Sequence, residues 1–360
     1  MVQDKMRVRV EDAVFVDASA LREQVAAIYI ARGAPEADAR VVAEILVTAD
    51  LRGVDSHGVL NTVRYVNEID TGSYAVPQTI EVVTDTPSIA VLDNGNGFGF
   101  VGAHRAMSLA IEKAKATGIG QVSLRHGHHI GMAAYYPMMA LEHDMIGMAV
   151  TNSTPHMRPV GGLGAKIGTN PIAFAAPAGR ERPFVLDMAT TTVANGKIRL
   201  AYRLGVPMPE GWVATSEDGS PVTVAPEKPA DWWSLEPLGG TLPLGGHKGY
   251  GLGVVVDILA GVLSAGGYSS ELPAGHNQAW FMAIDIARFR PVDEFKAHMD
   301  AMIQELHATP PAPGTERVLV AGDPEADMLE RRTREGIPLD RPLVDEIRAK
   351  AVELGAPVLI

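Results

Sequence analysis

Apolar positions over the first 70 residues recur at helical spacing and predict three helices. Asp17 or Ser19 stands where a first helix would be capped, Leu21, Val25 and Ile28 share one face, and Gly33 sits where a C-terminal glycine belongs. A second helix from about Glu36 carries Val41, Ile45, Leu46 and Ala49 on one side and stops at Gly53. Asp55 and Ser56 then offer caps for a third, with Val59, Val63 and Val66 turned inward. TGSYAVP at 71–77 marks a boundary. From Ile80 to Ile286 the pattern changes to short apolar or β-branched runs, among them SIAVLD, IGQVSL, IGMAVTN, NPIAFAAP and PFVLDM, which predict strands of one sheet. Helices are expected between them at about 102–117, 131–143, 190–204 and 249–265. Residues 205–246 hold seven prolines and seven glycines, together with Trp212, Trp232 and Trp233, and read as an ordered excursion rather than a regular element. After Arg290 the helical pattern returns from Val292 to His307, followed by a turn at TPPAPG, a short extended ERVLVAG and two terminal helices.

Composition narrows the function. The 360 residues amount to about two domains, enough for a core and a cleft. Forty-three acidic against 31 basic residues leave a net charge of −12 without a compensating run of Lys and Arg, so nucleic acid is not an expected partner. The absence of cysteine excludes a disulfide framework, a thiolate nucleophile and a Cys-ligated metal. MVQDKMRVRVED places charges where a signal peptide needs apolar residues, and a cytoplasmic protein is expected. The apolar run from Gly251 to Gly267 is interrupted by Asp257 and by further glycines and alanines, so a buried helix is expected there instead of a membrane span.

Four short motifs offer chemistry. Gly97 to Gly102 spells GxGxxG between a strand-like and a helix-like segment, which fits either a dinucleotide-binding turn or a purely structural one. The acidic residue that fingerprint needs about 20 positions on is missing, since IGQVSL runs into Arg125 and His126. In RGVDSHG, Ser56 and His57 stand at an expected helix start, where they serve either as a cap and a surface residue or as a proton-transfer pair near neutral pH. His126, His128 and His129 suggest a metal-dependent hydrolase as the competing class, although their spacing fits no zinc pattern and no metal is expected. GGHKGYG opens the long apolar helix, and its glycines, Lys248 and helix N-terminus make either an anion site or a hinge.

Six segments in one order resemble a known family: RGVDSHG, HHIGMAAYY, TNSTP, IGTNPIAFAAP, LDMATTTVANGK and GGHKGYGL. The chain is similar over nearly its whole length to the malate/L-lactate dehydrogenase family that lacks a Rossmann fold. Relatives in it are sulfolactate, ureidoglycolate and diketogulonate enzymes and the piperideine-2-carboxylate and pyrroline-2-carboxylate reductases. The resemblance implies a mixed α/β fold: a cofactor domain on a mostly antiparallel sheet at 78–289, beside a helical domain built from 1–77 and 290–360. It implies a homodimeric oxidoreductase that uses NAD or NADP and acts on a small molecule, either a 2-oxo or 2-hydroxy acid or a cyclic imino acid. A GxGxxG at 97–102 is structural on this reading.

Site residues follow from the same match. His57 is the implied proton donor with Ser56 orienting it, and His129 has a proton-transfer role. His129, Ile130, Gly131, Met132, Ala133 and Ala134 line the cofactor, as do Ser153, Asp187, Met188, Ala189, His247, Lys248 and the stretch containing Asp285, Ala287 and Arg288. Thr169, Asn195 and Gly196 approach the substrate. Many relatives carry arginine five residues after the serine to hold the substrate carboxylate, where this chain has Asn61; Arg64, one turn further on, remains, and both are expected to meet substrate. That departure alone favours a third reading, a catalytically impaired binding homologue. Arg125, Arg158, Arg288 and Arg290 are candidates to meet the 2′-phosphate of NADP. A helix N-terminus at His57 would disfavour imidazolium and favour a developing alkoxide.

Overall fold

The computed structural model describes residues 13–225 and 232–360. The charged stretch 1–12 and part of the proline- and glycine-rich segment, 226–231, lie outside the described residues. Asp17, not Ser19, is the first cap: its carboxylate accepts from the backbone N–H groups of Ser19 and Ala20, both at 2.9 Å. It joins β1 (Ala13–Val16) to α1 (Ala18–Ala31), which buries Leu21, Val25 and Ile28 as their spacing requires. α2 (Glu36–Leu51) follows. The third helix departs from expectation. Asp55–His57 and Val59–Asn61 are two separate 3₁₀ turns, and α3 runs only over Thr62–Asp70. The cause is Gly58, which is extended at φ −90° and ψ −155° and lies so close to α2 that a Cβ there would sit 1.9 Å from Asp50 Oδ1. No α-helix begins at His57, so the expected helix dipole does not act on it.

Among the described residues the main sheet holds seven strands in the order β2 (Glu81–Asp85), β3 (Ile89–Asp93), β4 (Ile119–His128), β10 (His276–Asp285), β5 (Met145–Thr151), β6 (Ile172–Ala176), β7 (Phe184–Met188). Every neighbouring pair is antiparallel except β3 with β4, which agrees with the expected mixed fold on a mostly antiparallel sheet. That one parallel pair is joined by α4 (Gly99–Thr117), which makes a strand–helix–strand unit with GxGxxG at its turn. The glycines there serve packing. A Cβ on Gly99 would lie 2.1 Å from the His128 carbonyl oxygen, and one on Gly102 2.1 Å from Asn94 Oδ1. Asn94 is fully buried and donates to the Gly97 and Phe98 carbonyls, so the turn is roofed by protein where a pyrophosphate would need open backbone N–H groups.

The remaining helices are shifted from their expected limits. α5 spans Tyr135–Met139 and continues as a 3₁₀ turn, Ala140–His143. α6 begins at Asn195 rather than 190 and ends at Leu204. The excursion forms a small hairpin of β8 (Val213–Thr215) and β9 (Trp233–Leu235), with Trp233 and Leu235 buried. α7 (Gly246–Val256) runs into a π-helical turn, Asp257–Val262. The expectation of a buried helix fails on one side: Val256 and Ala260 face the sheet, whereas Leu252, Val255, Ile258, Val262 and Leu263 are exposed, the last at 60%. Its apolar residues occur all round, and the sheet covers only one face.

α8 (Val292–His307) follows, then α9 (Asp323–Glu335), β11 (Ile337–Asp340) and α10 (Arg341–Glu353). ERVLVAG forms no strand, because the Val320 N–H donates to the Asp323 carboxylate at 2.8 Å at the start of α9. β11 pairs antiparallel with β1, and α10 packs against α1 and α3, so both chain ends close on the first helices. Among the described residues no helix is long and apolar enough to cross a membrane.

Candidate active site

Ser56 and His57 occupy the short turn between α2 and α3, half-buried, with Ser56 Oγ 2.9 Å from His57 Nδ1. Ser56 is therefore no helix cap; its hydroxyl is committed to the imidazole. Buried contacts from three directions hold the turn. Asp50 Oδ2 accepts from the Val59 N–H at 2.8 Å, and Asn61 Nδ2 donates to the carbonyls of Ser56 at 3.0 Å and Gly58 at 3.2 Å. Arg332, from α9, binds the Asp55 carboxylate through two nitrogens and the Asp50 carbonyl through one of them. Asp55 thus faces Arg332 and caps no α-helix. Burial, then the nearby Asp55 charge, pushes the Asp50 carboxyl well above the usual carboxylate range, against the opposing pull of Val59 N–H and Arg332.

The opposite wall is the end of β4. His129 follows its last residue, and its ring stacks at 27° on that of His57 with centroids 5.5 Å apart. Tyr65 Oη lies 2.7 Å from His129 Nδ1, and Arg64 spreads over the Tyr65 ring with Cζ 4.4 Å from its centroid. Arg64 also donates to Asn61 Oδ1 at 3.3 Å and pairs with Glu68 at 3.3 Å. Asn61 is 5% exposed and spends its amide on the Ser56–Gly58 turn and on Arg64, so the structure gives it internal partners in place of the expected substrate contact. Gly196, in the first turn of α6, meets the same turn: a Cβ there would lie 3.0 Å from Ser56 Cβ. Beside it, Asn195 Oδ1 is buried with no hydrogen-bond partner among the described residues.

Ile130, Met132, Ala133 and Ala134 are buried to 3% exposure or less, so their side chains serve the core and only backbone is left to line a ligand. The Ala134 N–H donates to Asp187 Oδ2 at 2.8 Å, which brings the end of β7, with Met188 and Ala189, to the segment after His129. The Asp187 side chain is exposed at the end of β7, and desolvation by the protein around it raises its carboxyl to about 6, against the Ala134 hydrogen bond, with Glu325 adding to the rise and Arg52 opposing it. Ser153 Oγ accepts from the Thr169 N–H at 3.2 Å, and the Thr169 carbonyl accepts from Thr190 at 3.0 Å, so the segments following β5 and β7 and preceding β6 converge. His247 and Lys248 are exposed in the first turn of α7.

Among the described residues one expected grouping does not form, and the residues of the competing metal reading do not come together either. Asp285, Ala287 and Arg288 lie at the end of β10, where it pairs with Ile119 at the start of β4; His129 follows the other end of that ten-residue strand, about 30 Å away. The three histidines also diverge. His126 Nδ1 pairs with Asp93 in a separate cleft of about 390 Å³ shared with His276 and Gln278, His128 packs on Tyr74 with its imidazolium disfavoured by burial, and His129 faces His57. Tyr65 and Arg332 escaped the sequence reading: the first looks like a core aromatic on α3, and the second lies 277 positions from Asp55.

A sequence profile described as malate/L-lactate dehydrogenase matches residues 16–348. A malate dehydrogenase of Pyrococcus abyssi is 44% identical over 329 residues, 90% of either chain. A malate/(S)-sulfolactate dehydrogenase of Methanothermus fervidus is 36% identical over 341 residues, covering 93% of this chain and 96% of that one. The solved malate dehydrogenase of Pyrococcus horikoshii superimposes with a TM-score of 0.88 at 39% identity, covering 96% of this chain and 97% of its own. With the Ser56–His57 turn set against His129 on that same fold, the chain is an oxidoreductase that belongs to the malate/L-lactate dehydrogenase family.

Proposed function

We propose that the chain moves a hydride reversibly between NAD(P) and a 2-oxo or 2-hydroxy acid of the malate and lactate type. The observation that carries this is the half-buried imidazole of His57, oriented by Ser56 and stacked on the half-buried His129. In reduction, His57 gives its proton to the substrate oxygen as the carbonyl carbon accepts hydride; in oxidation it takes that proton back. Ser56 engages Nδ1, so Nε2 is the nitrogen that exchanges the proton. Arg64, braced by Asn61 and Glu68, supplies a guanidinium for the substrate carboxylate.

The residues present fit a nicotinamide cofactor. Asn195 Oδ1 is an unused buried acceptor near Ser56, while Ser153, Thr169 and Met188 line converging loops and Lys248 offers a cation at the start of α7. When bound, the cofactor supplies or removes the hydride. Arg125, Arg158, Arg288 and Arg290 each already carry a carboxylate, from Asp93, Glu236, Asp285 and Glu294, which favours NAD over a cofactor with a 2′-phosphate. Such an enzyme acts in the cytoplasm, where these cofactors are held. A second copy of the chain is the partner we propose for the exposed apolar face of α7 and its π turn. Light scattering should then give twice 38.2 kDa, and a monomer at micromolar concentration would exclude it.

The test of function is a screen of 2-oxo acids, including oxaloacetate, pyruvate and sulfopyruvate, alongside a cyclic imino acid, each with NADH and NADPH and followed at the nicotinamide absorbance. Turnover of an oxo acid is expected, faster with NADH. Reduction of the cyclic imine alone would move the chain to the imino acid reductases, and no turnover with any pair would overturn the reading.

A further inference from the structure

His129 receives two partners on one ring nitrogen. Tyr65 Oη is 2.7 Å from Nδ1, and the backbone N–H of Gly131 donates to the same atom at 3.2 Å. A backbone N–H can only donate, so Nδ1 must hold a lone pair and cannot carry hydrogen. The Tyr65 hydroxyl, which elsewhere donates or accepts, is then obliged to donate as well. His129 is neutral in this arrangement, with its one proton on Nε2.

Packing keeps both donors in place. Tyr65 is fully buried on α3, edge-on to Phe100 with centroids 5.2 Å apart and to Tyr74 at 6.4 Å. Gly131 has φ +73°, the left-handed region, and a Cβ there would reach 2.6 Å from the Phe100 ring. Only glycine at 131 turns its N–H back onto His129 in that space. The charged and titratable groups around the pair include His57 on the turn, Arg64 over the Tyr65 ring with Glu68 paired to it, the hydroxyls of Tyr29, Tyr74 and Tyr136 near that of Tyr65, and Asp187, which reaches the same segment through the Ala134 N–H. Asp55, next to Ser56, is bound by Arg332.

We propose that Tyr65 is a positioning residue that, with the Gly131 N–H, fixes His129 as the neutral Nε2–H tautomer. His129 thereby offers the substrate oxygen a fixed hydrogen-bond donor, and the transferable proton stays on His57. Two imidazolium rings 5.5 Å apart would repel each other, so a neutral His129 is the condition under which His57 carries a proton. The catalytic half rests on the function proposed above; the tautomer stands on geometry alone.

The experiment is nitrogen NMR of the full-length protein labelled with ¹⁵N-histidine, the His129 signal being assigned by its loss in His129→Gln. The unmodified enzyme is expected to show an unprotonated Nδ1 and a protonated Nε2, unchanged between about pH 5 and 8. Tyr65→Phe keeps the buried ring and removes only the hydroxyl. In that variant the His129 signal is expected to titrate within the same range, with kcat about tenfold lower and cofactor KM unchanged. A protonated Nδ1 or a titrating His129 in the unmodified enzyme would overturn the proposal, as would a Tyr65→Phe protein with an unaltered spectrum. An altered spectrum with unaltered kcat would instead overturn the catalytic roles on which its second half rests.

Discussion

His57→Ala is expected to lower turnover by about a hundredfold or more while leaving cofactor affinity nearly unchanged. In the proposed reaction the imidazole exchanges a proton with the substrate oxygen, and Ser56 Oγ, 2.9 Å from Nδ1, would leave Nε2 to do so. The backbone of its turn does not depend on the ring: Asp50 holds Val59, Asn61 holds Ser56 and Gly58, and Arg332 holds Asp55. The variant should therefore fold as the parent does, and the loss should fall on kcat and kcat/KM together, the pattern of an interaction made in the transition state. Steady-state kinetics and a direct cofactor titration on the two proteins decide it. A variant that kept most of its turnover would remove His57 from the chemistry.

What the sequence discloses about this centre depends on how far each contact reaches. The first helices were legible because their signals are local: Asp17 binds its own neighbours, and Leu21, Val25 and Ile28 repeat with the helical period. Motif order led to the family, and GxGxxG was already weakened by its missing acidic partner; the carbonyls of His128 and His129 above Gly99 supply the physical reason. Contacts that cross the fold left no such trace. The 3₁₀ break before α3 comes from Gly58 meeting Asp50 across two elements, the Asp55–Arg332 pair spans 277 positions, and β10 lies between β4 and β5 although it comes more than 120 residues after β5 in the chain. Tyr65 is the sharpest case. Its ring obeys the amphipathic pattern of α3, and nothing local distinguishes a hydroxyl that reaches His129, 64 residues on, from one that does not.

Asn61 is expected to tolerate neither an arginine nor an aspartate. Its amide is 5% exposed, donates to two carbonyls of the His57 turn and accepts from Arg64 at 3.3 Å. Asn61→Asp keeps the shape but turns both donors into acceptors facing carbonyl oxygens, which costs about 1–3 kcal/mol of stability for each buried group left unpaired, and kcat is expected to fall as the His57 turn loses its brace. Asn61→Arg breaks the same bonds and sets a second guanidinium beside Arg64, so kcat should fall rather than the KM for small oxo acids improve. Arg64→Ala isolates the other role: with the turn intact, it should raise the KM for a 2-oxo acid about tenfold and spare kcat, as expected when one charged contact to the carboxylate is lost. Kinetics of the three variants with one substrate separate the alternatives. If Asn61→Arg lowers KM at full kcat, position 61 faces the substrate and the internal brace described here is not its function.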